Sequence, residues 1–148
     1  MDSSVLLRVV LGEPGRLRVW PRITTAIASE LISLECLRTI DRARLRLGLD
    51  DDQVADRRAA ILEALEGFTL VPLGPPVLGR AADPFPTVVG SLDAIHLTSA
   101  LLARDEFEDL AVATHDREFL PRGPKGCAST ASRDLIGPRW WVFTEPSR

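Results

Sequence analysis

The pattern of hydrophobic and polar positions changes period several times along this chain. Val5, Leu6, Leu7, Val9 and Val10 form an apolar block that predicts a short helix ending near Gly12, with Glu13-Pro14-Gly15 as the turn. Residues 23–28 are β-branched and apolar, as in a buried strand. Ser29 then offers an N-cap to a long helix whose stripe is Leu31, Leu34, Leu37 and Ile40, continuing towards Leu45. A turn over 47–53 carries three consecutive aspartates, Asp50 to Asp52, read as solvated and helix-initiating. A helix is predicted over 54–66, stopped by Gly67, and a strand over 68–71. Residues 72–86 are rich in proline and glycine, with one helical turn expected around 77–82. Ser91 is the expected cap of the next helix, which runs through Ile95, Leu97, Leu101 and Leu102. Residues 110–113 read as a buried strand with Asp116 beyond its C-terminal end. Past Leu120 the breakers Pro121, Gly123, Pro124 and Gly126 leave only 140–143 strand-like.

Strands alternating with helices predict an α/β fold: a central parallel sheet flanked by helices on both faces. At 148 residues the expectation is one domain over 1–120, with 121–148 as an atypical Pro/Gly-broken tail that adds at most a final strand. Ligand sites in such sheets lie outside the carboxyl ends of the strands. Asp2 and Asp116 are both expected at such ends.

Composition narrows the classes. No apolar run approaches the ~20 residues of a membrane helix, and no secretory leader is evident, so a cytoplasmic protein away from any membrane is expected. Cys36 and Cys127 are the only cysteines and lie outside any C-x-x-C pattern, which with two histidines argues against structural zinc. Cys36 reads as a small buried hydrophobe. A net charge of −3 argues against binding nucleic acid through charge alone, although the tail from Arg117 onward is basic.

Four acidic residues carry the candidate chemistry: Asp2, Glu35, Asp93 and Asp116. Each has an ordinary explanation. Asp2 is an exposed terminal residue, Glu35 pairs with Arg38 or Thr39 on a helix surface, Asp93 meets a helix dipole, and Asp116 caps a turn. Together they point elsewhere. Glu35 lies between Leu34 and Leu37, and Asp93 precedes Ile95 and Leu97, so both border apolar faces. Carboxylates at such borders need a partner, and crowded carboxylates repel unless they share a cation. Hard oxygen ligands suit Mg²⁺ or Mn²⁺, which can activate water against a phosphodiester.

The four contexts are Asp2-Ser3-Ser4 followed by Val-Leu-Leu, Ser33-Leu34-Glu35 with Leu37-Arg38, Leu92-Asp93-Ala94-Ile95-His96-Leu97, and Thr114-His115-Asp116-Arg117. In order and spacing they resemble the motifs of PIN-domain ribonucleases, specifically the VapC-type toxins of bacterial toxin–antitoxin pairs. The resemblance covers residues 1–119. It implies a single PIN-like domain and a metal-dependent endoribonuclease that acts on RNA and is neutralised by a cognate antitoxin. It further implies Asp2 and Asp93 as principal metal ligands, with Glu35 and Asp116 completing the pocket and Ser4 orienting Asp2 or a metal-bound water. His96, one turn after Asp93, is expected to pack or hydrogen-bond rather than act as general base. A homodimer is also expected.

Two departures from the family pattern stand out. Only Met1 precedes the first aspartate where the family has an apolar strand, and the tail ends in Trp140-Trp141 rather than in a helix and short strand. The expectation is that Met1 is internal to the natural protein, with a few apolar residues upstream; the alternative is that residues 140–143 fill the centre of the sheet. The competing function is a catalytically impaired PIN-like module that binds an antitoxin without cleaving RNA. A flap-type DNA nuclease is disfavoured by length.

Overall fold

The computed structural model describes residues 1–12, 23–86, 88–107, 111–114 and 141–143. In chain order they form α1 (Ser3–Val10), β1 (Ala26–Ser29), α2 (Leu31–Leu47), α3 (Asp51–Glu66), β2 (Phe68–Val71), α4 (Pro75–Ala82), α5 (Ser91–Ala103), β3 (Ala111–Ala113) and β4 (Trp141–Phe143).

Local chemistry sets most of the helix ends. Asp50 accepts from the Gln53 amide at 2.8 Å while the Gln53 side chain accepts from the Asp50 amide, a capping box that starts α3 three residues earlier than the apolar pattern alone suggests. Gly48 closes α2 in the left-handed region (φ 64°), which costs glycine least. Pro75 and Pro76 open α4 behind Gly74, so its helix is longer than the single turn expected. Two expected caps are corrected. Ser29 belongs to β1 and Glu30 takes the N-cap of α2, although the Ser29 hydroxyl still accepts from the Leu31 amide at 3.2 Å. Gly90, not Ser91, is the N-cap of α5.

Strands β1 and β2 pair in parallel, Ala26 opposite Phe68 and Ser29 opposite Val71. Strands β3 and β4 also pair in parallel, Ala111 opposite Trp141. The first two residues join these ribbons: the Met1 amine donates to the Ile27 carbonyl of β1, and the Asp2 amide donates to the Ala113 carbonyl of β3 at 3.1 Å. The alternative that residues 140–143 fill the centre is therefore corrected. Trp141–Phe143 pairs with β3, and extended backbone at Met1-Asp2 links β1 to β3; Trp140 lies outside the described residues.

Ile27, Ala28 and Ser29 are consecutive and all buried. Because successive strand residues face opposite sides, both faces of β1 are covered. On one side Ala28 belongs to a buried cluster with Leu6 of α1, Ile32, Cys36 and Ile40 of α2, and Ile61 and Leu65 of α3. Helix α5 packs against β1 and α4. Each fully buried isoleucine of this core contributes about 1.5–3 kcal/mol.

The buried stripe of α2 shares Leu31 and Ile40 with the expected one and otherwise departs from it. Ile32, Cys36 and Ile40 are fully buried, whereas Leu34 is 59% and Leu45 71% exposed. At 3.6 residues per turn, Leu34 stands roughly 200° round the helix from Ile32 and faces away from the sheet. In α5 the buried positions include Ala94, His96, Thr98, Ser99 and Ala103 rather than the leucines.

Candidate active site

Asp2 heads α1 in an extended conformation (φ −95°, ψ 155°), where an aspartate ordinarily caps the helix by accepting from its first amides. Its carboxylate makes no such bond. It turns instead to hydroxyls: Ser4 Oγ donates to Oδ2 at 2.5 Å, Thr114 Oγ1 donates to the same oxygen at 2.9 Å, and Ser3 Oγ donates to Oδ1 at 3.4 Å. Asp2 is only 8% exposed, and Thr114, immediately beyond β3, is fully buried. The reading of Asp2 as an exposed terminal residue is thus excluded.

Glu35 projects from α2, on the turn that also buries Cys36. Its expected surface partners are engaged elsewhere: Arg38 pairs with Asp41 at 2.9 Å, and Thr39 Oγ1 donates to the main-chain carbonyl of Glu35 at 2.8 Å. The Glu35 carboxylate instead meets His96 of α5, with Nε2 to Oε2 at 2.7 Å. The His96 side chain is 4% exposed and that of Glu35 19%.

Asp2, Glu35 and His96 therefore converge, one ligand atom from each lying within 4.8 Å of the others. Asp93 stands one turn before His96 on the same face of α5 but outside this trio. Its Oδ2 comes 3.1 Å from the point a Cβ at residue 90 would occupy, so glycine there leaves room for the carboxylate. Asp116 lies outside the described residues.

The electrostatics favour a cation. Ionised carboxylates this far removed from water carry a desolvation cost of several kcal/mol that hydroxyl donors offset only in part. Among the described residues no arginine or lysine forms an ion pair with Asp2. The Met1 amine lies close, yet burial pulls its pKa down to about 6 despite the opposing Asp2 charge, which weakens it as a counter-charge. Behind the trio, burial first and then the charges of Glu35 and Asp2 push the Cys36 thiol up to about 12. A thiol so held is no nucleophile. The two largely buried carboxylates of Asp2 and Glu35 are hard oxygen donors that fit a divalent cation such as Mg²⁺ or Mn²⁺, with His96 hydrogen-bonded to one of them.

Two features of this site escaped the sequence reading. Thr114 was visible within its motif but without a role; the only signal was a hydroxyl directly after an apolar run. The partnership of His96 with Glu35, 61 positions apart, had no local signal at all.

Comparison with known proteins adds two findings. The family model described as PIN domain matches residues 1–122. Ribonuclease VapC47 of Mycobacterium tuberculosis (strain CDC 1551 / Oshkosh) is 32% identical over 127 residues, a match covering 81% of this chain and 85% of that protein.

Proposed function

This chain belongs to the PIN-domain family, and on that premise we propose that it is a metal-dependent endoribonuclease toxin of the VapC type, hydrolysing RNA phosphodiester bonds and neutralised by a cognate antitoxin. The observation that carries this reading is the convergence of Asp2 at the N-cap of α1, Glu35 of α2 and His96 of α5.

Asp2 and Glu35 would hold the cation, Mg²⁺ or Mn²⁺, with Asp93 on the same face of α5 as His96; the motif resemblance adds Asp116, which lies outside the described residues, as a further acidic ligand. Ser4 and Thr114 fix the orientation of Asp2 through its Oδ2. When bound, the cation lowers the pKa of a coordinated water and offsets charge on the scissile phosphate. The carboxylates repel a phosphate in the cation's absence, so substrate binding and cation binding are coupled.

A cytoplasmic ribonuclease needs restraint. Exposed leucines on α2 (Leu34, Leu45 and Leu47) and Leu62 on α3 support association, and we assign this protein a homodimer and an antitoxin that inserts a basic side chain near the acidic pocket. No helix among the described residues is long and apolar enough to cross a membrane.

The deciding experiment incubates purified protein with RNA, with and without Mn²⁺ or Mg²⁺. Cleavage is expected only with the cation and to be lost in Asp93→Ala. Undiminished cleavage in EDTA, or in that variant, overturns the mechanism. Light scattering showing a strict monomer, with no small protein copurifying from the native operon, overturns the assignment of partners.

A further inference from the structure

We infer that His96 is a positioning residue for Glu35, holding one carboxylate oxygen through Nε2–H so that the other is presented in a fixed direction. The inference rests on the metal-site reading above and adds to it the group that orders its most flexible ligand.

Three observations carry it. The Nε2···Oε2 separation is 2.7 Å, a strong hydrogen bond to a charged acceptor. The ring is 96% buried by side-chain area, its exposure being 4%, so water does not compete for that bond. And Nδ1 is buried with no hydrogen-bond partner among the described residues. An N–H at Nδ1 would be a buried donor without an acceptor, whereas a bare lone pair is the lesser loss. The proton therefore sits on Nε2 and is donated to Glu35.

The same orphaned atom separates this role from direct ligation. An imidazole that binds a metal almost always donates its second ring N–H to a carboxylate or carbonyl. Among the described residues Nδ1 has no such acceptor. Glu35, by contrast, has a long side chain with three rotatable bonds, and its order in the cleft depends on a tether. Helix α2 delivers it and α5 anchors it, so the bond also ties together two helices that reach the site from different parts of the chain.

The test uses the full chain, stripped of metal by EDTA and dialysed, with Mn²⁺ binding followed by calorimetry. In His96→Gln the amide N–H stands near the place of Nε2; in His96→Asn it stands near Nδ1 and falls short of Glu35. His96→Asn is expected to weaken Mn²⁺ binding about 10–100-fold and His96→Gln to stay within about threefold of the parent, the range typical of groups that orient ligands. Should His96→Asn fail to fold, His96→Leu takes its place. In a Glu35→Gln background the His96 substitutions should have no further effect, because the tethered carboxylate is gone.

Equal losses in His96→Asn and His96→Gln, or no loss in either folded variant, overturn the inference. Nitrogen hyperfine coupling in the electron paramagnetic resonance spectrum of bound Mn²⁺ that disappears in His96→Leu but persists when His115 is replaced also overturns it, since it makes His96 a ligand. Asp2→Asn keeps the two readings apart. If it abolishes Mn²⁺ binding while the His96 variants bind like the parent, only the positioning role falls. If it binds Mn²⁺ like the parent, the metal site itself is misplaced and the inference falls with it.

Discussion

Thr114 Oγ1 donates to Asp2 Oδ2 at 2.9 Å, a buried hydrogen bond between residues 112 positions apart. Ser4 Oγ donates to the same oxygen from the first turn of α1. Asp2 is thus oriented by one near and one distant hydroxyl, which fixes its carboxylate relative to both the helix it heads and the strand it borders.

Removing either hydroxyl should loosen that carboxylate. Thr114→Val, which keeps the shape, is expected to cost about 1.5–3 kcal/mol of stability as a lost bond to a charged acceptor. Ser4→Ala should cost less, because Ser4 is only partly buried. Urea denaturation at pH 7 measures both, and cleavage should fall in each. Parent-like stability for Thr114→Val would remove Thr114 from the site.

Replacing the ligands themselves should act on cleavage and not on the fold. Asp2→Asn, Glu35→Gln and Asp93→Asn are each expected to lower RNA cleavage by more than about a hundredfold, beyond the range of residues that merely support ligands. Circular dichroism should stay that of the parent. A Glu35→Gln variant that cleaves normally would confine the site to the aspartates.

The Cys36 thiol should be inert in the native state. With Cys127 replaced by serine, a disulfide-exchange reagent at pH 8 is expected to react only as fast as the protein opens, because burial holds Cys36 near a pKa of about 12. The sign for stability follows. The unfolded thiol ionises above its ordinary value of 9.0 and the native one does not, so this contribution is complete below pH 9 and is lost as pH rises towards 12. Rapid labelling of the folded protein would contradict the packing around α1 and α2.

Asp50→Ala provides the contrast. It removes the acceptor of the α3 capping box, far from the acidic pocket in role, and should cost about 1 kcal/mol. Metal affinity and cleavage per folded molecule should be unchanged. A selective loss of cleavage would mean that α3 contributes to the site.

Features that depend on neighbours in sequence were readable before the fold was known. The strand Phe68–Val71, the aspartate-rich start of α3 and the stop at Gly67 all follow from local chemistry. The expected stripe of α2 holds at Leu31 and Ile40, with Leu37 partly buried, and fails at Leu34 and Leu45, because only the sheet decides which of several similarly spaced faces is covered. Caps at Ser29 and Ser91 were inferred from residue type, yet β1 runs through Ser29 and Gly90 takes the cap ahead of Ser91. At the site, the acidic motifs were visible as motifs. The distances that give them meaning, Glu35 to His96 and Asp2 to Thr114, span 61 and 112 positions and exist only once the sheet has formed.

The junction of Asp2 with Ala113 bears on the order of events during synthesis. A chain leaves the ribosome N-terminus first, so Asp2 emerges long before the carbonyl of Ala113 and the hydroxyl of Thr114 that complete its surroundings. Throughout that interval the nascent protein carries its acidic residues without the arrangement that makes them act together.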